Sequence, residues 1–255
     1  MSRPAPQPEG SEPRGEPTRV AVVTGAARGI GRAIVDDLAL AGLHVVATDR
    51  DLVGIEGIVH ERVVAAQAMD VTDAAEVERC ATSVVARFGR IDVLVNNAGV
   101  FHQTPALAID EANLREILDV NLAGALRCTA AFGRVMARNG GGRIINIASV
   151  SAITGAALAC VYAASKAGLI AATRSAAREL APHGITVNAV APGYTDTAML
   201  TPYKALVERF AAGRIPLARF ATPTDVAEVV TFLATAPGGY LTGSVITLDG
   251  GMSSG

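Results

Sequence analysis

Short runs of β-branched residues alternate along the chain with longer alanine-rich segments in which apolar residues recur every three or four positions. This alternation predicts strands over residues 20–24, 45–48, 63–68, 91–95, 144–147, 185–190 and 245–248, and helices over residues 30–41, 73–88, 111–138, 162–180 and 222–233. A strand followed by a helix, repeated, is typical of a parallel sheet with helices on both faces. The pattern therefore predicts an α/β fold: a single doubly wound domain with a seven-stranded parallel sheet.

Composition supports one domain and narrows the classes of partner. Half of the 255 residues are hydrophobic and 18% are charged, which suits a single large core. The net charge of −2 and the lack of a long lysine or arginine run give nucleic acid or an anionic membrane surface nothing to bind. No stretch is apolar enough to span a bilayer. We expect no nucleic-acid or membrane partner, and instead a small molecule and other copies of the chain.

We expect no functional site in the amino-terminal segment or at the cysteines. Residues 1–17 repeat Pro, Gly, Ser and Glu, so we expect a disordered tail there and one domain over residues 18–255. Cys80, Cys128 and Cys160 lie far apart, with neither metal-ligand nor disulfide spacing. We therefore expect three buried cysteines, no metal site and a reducing, cytoplasmic setting.

A glycine turn follows the first predicted strand and opens the first predicted helix. Gly25 permits a tight turn, Gly29 lets the backbone approach a pyrophosphate, and Gly31 lets the helix lie close to the strand. Arg28 and Ile30, which lie between these glycines, are expected cofactor contacts as well. The turn predicts a dinucleotide site of the Rossmann type.

The end of the second predicted strand bears on which dinucleotide binds. Asp49 lies about 20 residues beyond the glycines, where a carboxylate can accept hydrogen bonds from the adenosine ribose hydroxyls. A 2′-phosphate would meet a like charge there, which favours NAD. Arg28 and Arg50 favour NADP, because a guanidinium can pair with a phosphate. We expect NAD as the cofactor, with NADP as the less favoured alternative.

The third and fourth predicted strands end in polar residues and glycine. Ligands of open α/β sheets bind beyond the carboxyl ends of the strands, so Asp70 and Val71 should face the cofactor. Asn97, Ala98 and Gly99 should face it too. We expect Asp70 to bind the adenine edge and the Asn97 amide to tie neighbouring strands together.

Three residues predict acid/base chemistry. Tyr162 and Lys166 are four residues apart, on one face of a predicted helix. A phenol has an unperturbed pKa of about 10, so it needs a nearby positive charge, here Lys166, to ionise near neutral pH. Ser149 ends the fifth predicted strand and can donate a hydrogen bond to the oxygen of a substrate.

Taken together and in order, these motifs resemble those of the short-chain dehydrogenase/reductase family over about residues 19–249. The resemblance implies that Tyr162 is the acid/base and that Lys166 also binds the nicotinamide ribose. It further implies that Asn121 holds a water in a proton relay to Lys166.

The resemblance also assigns the residues that follow the sixth predicted strand. Pro192 and Gly193 are implied to bind the cofactor, and Thr195 and Thr197 to contact the nicotinamide carboxamide. The family commonly has Ile or Val where Thr195 stands, so the backbone could make that contact instead. A homotetramer packed through the 111–138 and 162–180 helices and the last strand is implied as well.

Substrate contacts are expected from a lid over residues 197–219. They are Met199, Leu200, Tyr203, Leu206, Val207, Phe210 and Leu217, together with Phe101, His102, Ser151, Ile153 and Ala156 outside the lid. The sequence predicts an NAD(H)-dependent oxidoreductase that interconverts a secondary alcohol and a ketone, resembling NAD-dependent alcohol dehydrogenases. Two alternatives stay open: an NADPH-dependent ketoreductase resembling the family's 3-oxoacyl-acyl-carrier-protein reductases, and a non-catalytic NAD-binding sensor.

Overall fold

Parallel strands form one sheet in the computed structural model of the chain, which describes residues 18–58, 60–203, 208, 213–237 and 239–254. The expected tail over residues 1–17 lies outside these ranges. The sheet has the order β3-β2-β1-β4-β5-β6-β7, so its direction of growth reverses between β1 and β4 and a crevice opens there. The strands are β1 (Val20–Thr24), β2 (His44–Asp49), β3 (Val63–Ala68), β4 (Val93–Asn96), β5 (Gly142–Ile147), β6 (Ile185–Pro192) and β7 (Val245–Leu248).

Helices cover both faces of this sheet. They are α1 (Gly29–Leu40), α2 (Leu52–Glu56), α3 (Ala74–Phe88), α4 (Glu111–Leu118), α5 (Ala125–Arg138), α6 (Ser151–Thr154), α7 (Cys160–Leu180) and α8 (Pro223–Thr235), with short 3₁₀ turns at Ala181–His183 and Thr201–Tyr203. The predicted doubly wound α/β fold is confirmed. Within the described residues, no helix is long and apolar enough to cross a membrane.

The two faces have separate hydrophobic cores because side chains alternate along each strand. In β1, Ala21 and Val23 pack with α1 and α8, whereas Val20 and Val22 pack with α3, α5 and the end of α7. Both sides of β1 are fully buried, which explains its uninterrupted apolar sequence.

The long helix expected over residues 111–138 is not regular. A turn of π-helix, Asp119–Gly124, separates α4 from α5. The Asn121 side chain is bound to the backbone of Val100, accepting from its N–H at 2.8 Å and donating to its carbonyl at 2.9 Å. Gly124 lies so close to Val71 that a Cβ there would be 2.7 Å from a Val71 methyl carbon. These two contacts hold the wide turn in place, and they depend on residues distant in sequence.

The expectation for the cysteines was right for two of the three. Cys80 and Cys128 are buried, and burial raises the pKa of each thiol to about 12, so both are poor nucleophiles. Cys160 is exposed, because α7 begins two residues earlier than predicted and Cys160 is its first residue.

Thr24 joins the end of β1 to the chain that leaves β4. Its Oγ1 accepts hydrogen bonds from the backbone N–H groups of Asn97 (3.1 Å) and Ala98 (3.0 Å), and donates to the carbonyl of Val95 (3.3 Å). The Asn97 amide donates in return to the carbonyls of Thr24 (3.0 Å) and Gly25 (2.9 Å). Both strand ends are thereby held together at the mouth of the crevice.

Replacing Thr24 with Val should destabilise the protein, because two backbone N–H groups lose a buried acceptor. We expect the free energy of unfolding to fall by about 2–4 kcal/mol. Urea denaturation would show this as a lower midpoint with an unchanged m-value. Thr82→Val is the matched control: it removes a hydroxyl bonded only to Glu78 on the exposed face of α3 and should change stability by less than about 0.5 kcal/mol.

Candidate active site

A cleft of about 690 Å³ lies beyond the carboxyl ends of the strands. It brings together all but two of the catalytic and cofactor-binding residues that the sequence analysis assigned: Gly25, Arg28, Gly29, Ile30, Gly31, Asp49, Asp70, Val71, Asn97, Ala98, Gly99, Ser149, Tyr162, Pro192, Gly193, Thr195 and Thr197. The other two, Asn121 and Lys166, are buried beside Gly99. A Cβ at Gly99 would be 3.3 Å from Asn121 Oδ1 and 3.5 Å from Lys166 Nζ.

The glycine turn at one end of the cleft fits a dinucleotide pyrophosphate. Gly25 and Gly29 have φ of +66° and +54°, which L side chains rarely adopt. A Cβ at Gly31 would be 2.0 Å from the Gly25 carbonyl oxygen, so α1 lies closer to the turn than any side chain permits. Gly29, Ile30 and Gly31 line the cleft at the start of α1, where helix N-terminal N–H groups can bind a phosphate.

Asp49 stands at the edge of this turn with its carboxylate held in place. Oδ2 accepts from the N–H of Ala27 and Oδ1 from the N–H of Asp51, both at 3.0 Å. Arg28 and Arg50 line the same part of the cleft. The structure thus contains both the carboxylate that favours NAD and the cations that favour NADP.

Asp70 and Thr195 are both engaged in local hydrogen bonds. Asp70 Oδ1 accepts from the N–H and the hydroxyl of Thr72, each at 2.8 Å, which fixes the carboxylate beside the cleft. The Thr195 hydroxyl is buried and donates to the carbonyl of Gly193 at 3.2 Å. This internal bond uses the hydroxyl proton of Thr195, and so favours a backbone contact at that position.

Ser149, Tyr162 and Lys166 converge where β5 ends and α7 begins. The Ser149 hydroxyl is close enough to Tyr162 to act as a hydrogen-bond donor that lowers the pKa of the phenol. Lys166 Nζ donates to the carbonyl of Ile147 at 2.8 Å and lies 5.9 Å from the centre of the Tyr162 ring. The spacing of Tyr162 and Lys166 thus places both groups at one site, although the ammonium is directed to the backbone.

The electrostatics of this site differ from the sequence-based expectation. Burial raises the pKa of Tyr162 above its ordinary value, and the hydrogen bond from Ser149 opposes that rise. Burial also lowers the pKa of Lys166 to about 8. Lys166 was expected to make the phenol acidic. In the protein alone it does not, because its ammonium binds Ile147 and is itself desolvated.

Asn121 connects three parts of the site. Besides binding Val100, its amide donates to the hydroxyl of Ser165 at 3.3 Å, and Ser165 donates to the carbonyl of Tyr162 at 2.7 Å. Ser165 was missed by sequence reasoning, since a serine within an alanine-rich helix carries no signal of its own. The role of Asn121 in a water relay remains a prediction.

Aromatic rings form the wall on the substrate side. Phe101 makes edge-to-face contacts with Tyr162 (5.2 Å between ring centres) and with Tyr203 (5.1 Å). His102, which also lines the cleft, is paired with Glu116 at 2.9 Å. Of the remaining expected contacts, Met199, Leu200, Ser151 and Ala156 line the cleft as well.

Other expected substrate contacts are displaced or lie outside the described residues. Ile153 and Leu217 are exposed and do not line the cleft, so their assignment was wrong. Ile153 is exposed on α6, and Leu217 lies in a turn that precedes α8. Leu206, Val207 and Phe210 lie outside the described residues. Tyr194 and Leu158, which the sequence analysis did not single out, line the cleft instead.

Desolvation of Lys166 predicts a pH-dependent contribution to stability. The folded-state pKa of about 8 lies below the ordinary lysine value of 10.5, so the unfolded chain binds more protons between these pH values and stability rises with pH there. Relative to Lys166→Met, the wild type should gain about 2–3 kcal/mol between pH 8 and pH 10.5. Urea denaturation of both proteins across this range measures the difference; a difference independent of pH would contradict the assignment.

Comparison with known proteins agrees with this geometry. The family profile described as enoyl-(acyl carrier protein) reductase matches residues 25–253. The 3-oxoacyl-[acyl-carrier-protein] reductase of Synechocystis is 41% identical over 242 residues, which cover 92% of this chain and 96% of that protein.

Solved structures are similar over the same extent. A proposed short-chain alcohol dehydrogenase of Sinorhizobium meliloti has a TM-score of 0.85 and 38% identity, covering 92% of this chain and 96% of its own. A proposed NAD(P)-dependent gluconate 5-dehydrogenase of Beutenbergia cavernae, with NADP bound at low occupancy, has a TM-score of 0.86 and 40% identity, covering 93% and 97%. The chain belongs to the short-chain dehydrogenase/reductase family of nicotinamide-dependent oxidoreductases, which act on C=O and CH–OH groups.

Proposed function

We propose that this enzyme reduces the ketone of a 3-oxoacyl thioester to a 3-hydroxyacyl product. The observation that carries the proposal is the placement of Ser149 and Tyr162 in one cleft with both the glycine turn and an apolar wall. An acyl chain would find apolar contacts along that wall, in Phe101, Met199 and Leu200. The relatives named as 3-oxoacyl-[acyl-carrier-protein] reductases support this choice, because they match over more than nine-tenths of both chains.

The chain's own residues suit the reduction. The bound nicotinamide supplies the hydride. Ser149 would donate a hydrogen bond to the ketone oxygen and so stabilise the negative charge that develops on it. Tyr162 would then transfer its phenolic proton to that oxygen, giving the alcohol.

The burial of Tyr162 favours reduction of the ketone over oxidation of the alcohol. A raised pKa keeps Tyr162 protonated at neutral pH, which is the form that an acid needs in order to donate. Lys166, next to Gly99 and one helical turn from Tyr162, would hold the nicotinamide ribose. Asn121 and Ser165 would fix the position of the Val100 backbone relative to the first turn of α7.

A second candidate function is the NAD-linked interconversion of a simple secondary alcohol and its ketone. The fixed carboxylate of Asp49 supports it, because a 2′-phosphate would be repelled there. The likeness to a proposed short-chain alcohol dehydrogenase at 38% identity supports the alcohol as substrate. Both candidates use the same acid/base residues, so the substrate separates them.

A substrate panel with a tyrosine variant tests the first candidate. We expect acetoacetyl-coenzyme A to be reduced with a higher kcat/KM than any member of a panel of small ketones. Tyr162→Phe should lower kcat by about 10³-fold, since it removes the proton donor, while cofactor affinity measured by nucleotide fluorescence stays within about threefold.

The matched control is Tyr240→Phe, which removes the hydroxyl of a fully exposed tyrosine outside the cleft and should leave turnover unchanged. Turnover of small ketones with none of the thioester would favour the second candidate. Full activity of Tyr162→Phe would contradict the proposed site for both.

Cofactor preference tests the role of Asp49. We propose that the wild type has a higher kcat/KM with NADH than with NADPH. Asp49→Asn should shift the ratio at least about tenfold toward NADPH, because it removes a charge that repels the 2′-phosphate. Asp36→Asn changes the same charge on α1, where Asp36 pairs with Arg32, and should leave the ratio unmoved. A wild-type preference for NADPH that Asp49→Asn does not alter would refute this role.

A further inference from the structure

Ser151 directs both of its donors at the hydroxyl oxygen of Ser149. Its backbone N–H lies 3.2 Å from Ser149 Oγ, and its own Oγ donates to the same atom at 2.9 Å. Ser151 is buried and is the first residue of α6. None of the roles proposed above uses these two bonds.

The two hydrogen bonds that Ser149 accepts determine how its own hydroxyl proton can be used. A hydroxyl has one proton and two acceptor sites. Ser151 occupies both acceptor sites of Ser149, so the Ser149 hydroxyl acts toward its remaining neighbours only as a donor. Tyr162 is the neighbouring side chain whose pKa this donation lowers. Hydrogen bonds in series polarise one another, so two bonds accepted from Ser151 also make Ser149 a stronger donor.

We propose that Ser151 is a positioning residue that fixes Ser149 as a hydrogen-bond donor, directed to Tyr162 in the free enzyme and to the substrate oxygen once substrate is bound. This inference rests on the proposed function, because it assigns Ser151 a role through Ser149. Ser151 itself need not touch the substrate.

The backbone around the two serines is held firmly enough to maintain this geometry. The N–H of Ala148 donates to the carbonyl of Val190 at 2.7 Å, and the N–H of Val150 donates to that of Pro192 at 2.8 Å. Both bonds tie the segment to β6. The orientation of Ser151 toward Ser149 is thus set by the sheet rather than by a free loop.

Substitutions at Ser151 test the proposal. Ser151→Ala removes one donor and should lower kcat by about five- to tenfold, the value of one hydrogen bond, with KM changed less than about twofold. Ser151→Thr keeps the hydroxyl and should restore kcat to within about twofold. Ser83→Ala makes the same change at a serine on the exposed part of α3, hydrogen-bonded to Gln67, and should have no effect.

A double-mutant cycle separates positioning from direct substrate contact. If Ser151 acts through Ser149, Ser151→Ala in a Ser149→Ala background should cost less than about twofold more. An equal cost in both backgrounds would overturn the proposal, because Ser151 would then act independently. A Ser151→Ala enzyme with wild-type kcat would overturn it as well.

Alkaline titration of the phenol provides a test that needs no turnover. Absorbance at 295 nm, from which the curve of the Tyr162→Phe counterpart is subtracted, follows Tyr162 alone. Weaker donation from Ser149 should move the titration of Tyr162 about half a pH unit upward in Ser151→Ala and leave it unmoved in Ser151→Thr and Ser83→Ala. An unchanged titration in Ser151→Ala refutes the positioning role. A shift in an enzyme that does not reduce the thioester refutes only the proposed substrate.

Discussion

The hydrogen bonds of Thr24 hold the site together, because they join the two strands between which the crevice opens. β1 and β4 pair with each other up to Val23 and Val95 and then lead into different helices, and the Thr24 bonds extend this pairing into the loops that line the crevice. The Asn97 amide binds the carbonyls of Thr24 and Gly25 and so connects the glycine turn to the β4 loop. That loop brings Gly99 over Lys166, and Val100 to Asn121. The phosphate end and the acid/base end of the cleft therefore share one support.

The fold and most of the site could be predicted from the sequence because they follow from local patterns. Runs of β-branched residues alternate with segments in which apolar residues recur every three or four positions, and this alternation determines the layers of the domain. The four-residue spacing of Tyr162 and Lys166 by itself brings both to one face of α7. Features that depend on distant contacts could not be predicted. The π turn at Asn121 needs the Val100 backbone, and the direction of the Lys166 ammonium needs the Ile147 carbonyl. The raised pKa of Tyr162 follows from its burial, which does not appear in a linear motif.

The reaction is common to the relatives of this chain, whereas the substrate depends on the wall of the cleft. Relatives near 40% identity carry names for different substrates, yet all match nearly the whole chain. The shared part is the reaction at a carbonyl, for which we propose Ser149 and Tyr162 as the reacting pair. Selectivity must come from the wall built by Phe101, Tyr203 and the residues near Met199. These belong to segments between the regular elements, where sequence can change without disturbing the sheet.

The π turn between α4 and α5 allows the catalytic region to differ from a regular helix without disturbing the core. A π turn holds one residue more than an α turn, and it takes up that residue locally. α5 therefore keeps the face that a regular continuation of α4 would give it, and Phe132 and Met136 stay buried against the sheet. A one-residue deletion that restored a regular helix would preserve this packing and would change only the turn, where Asn121 binds the Val100 backbone. The placement of Asn121 can thus be gained or lost by a single insertion or deletion while the core stays intact.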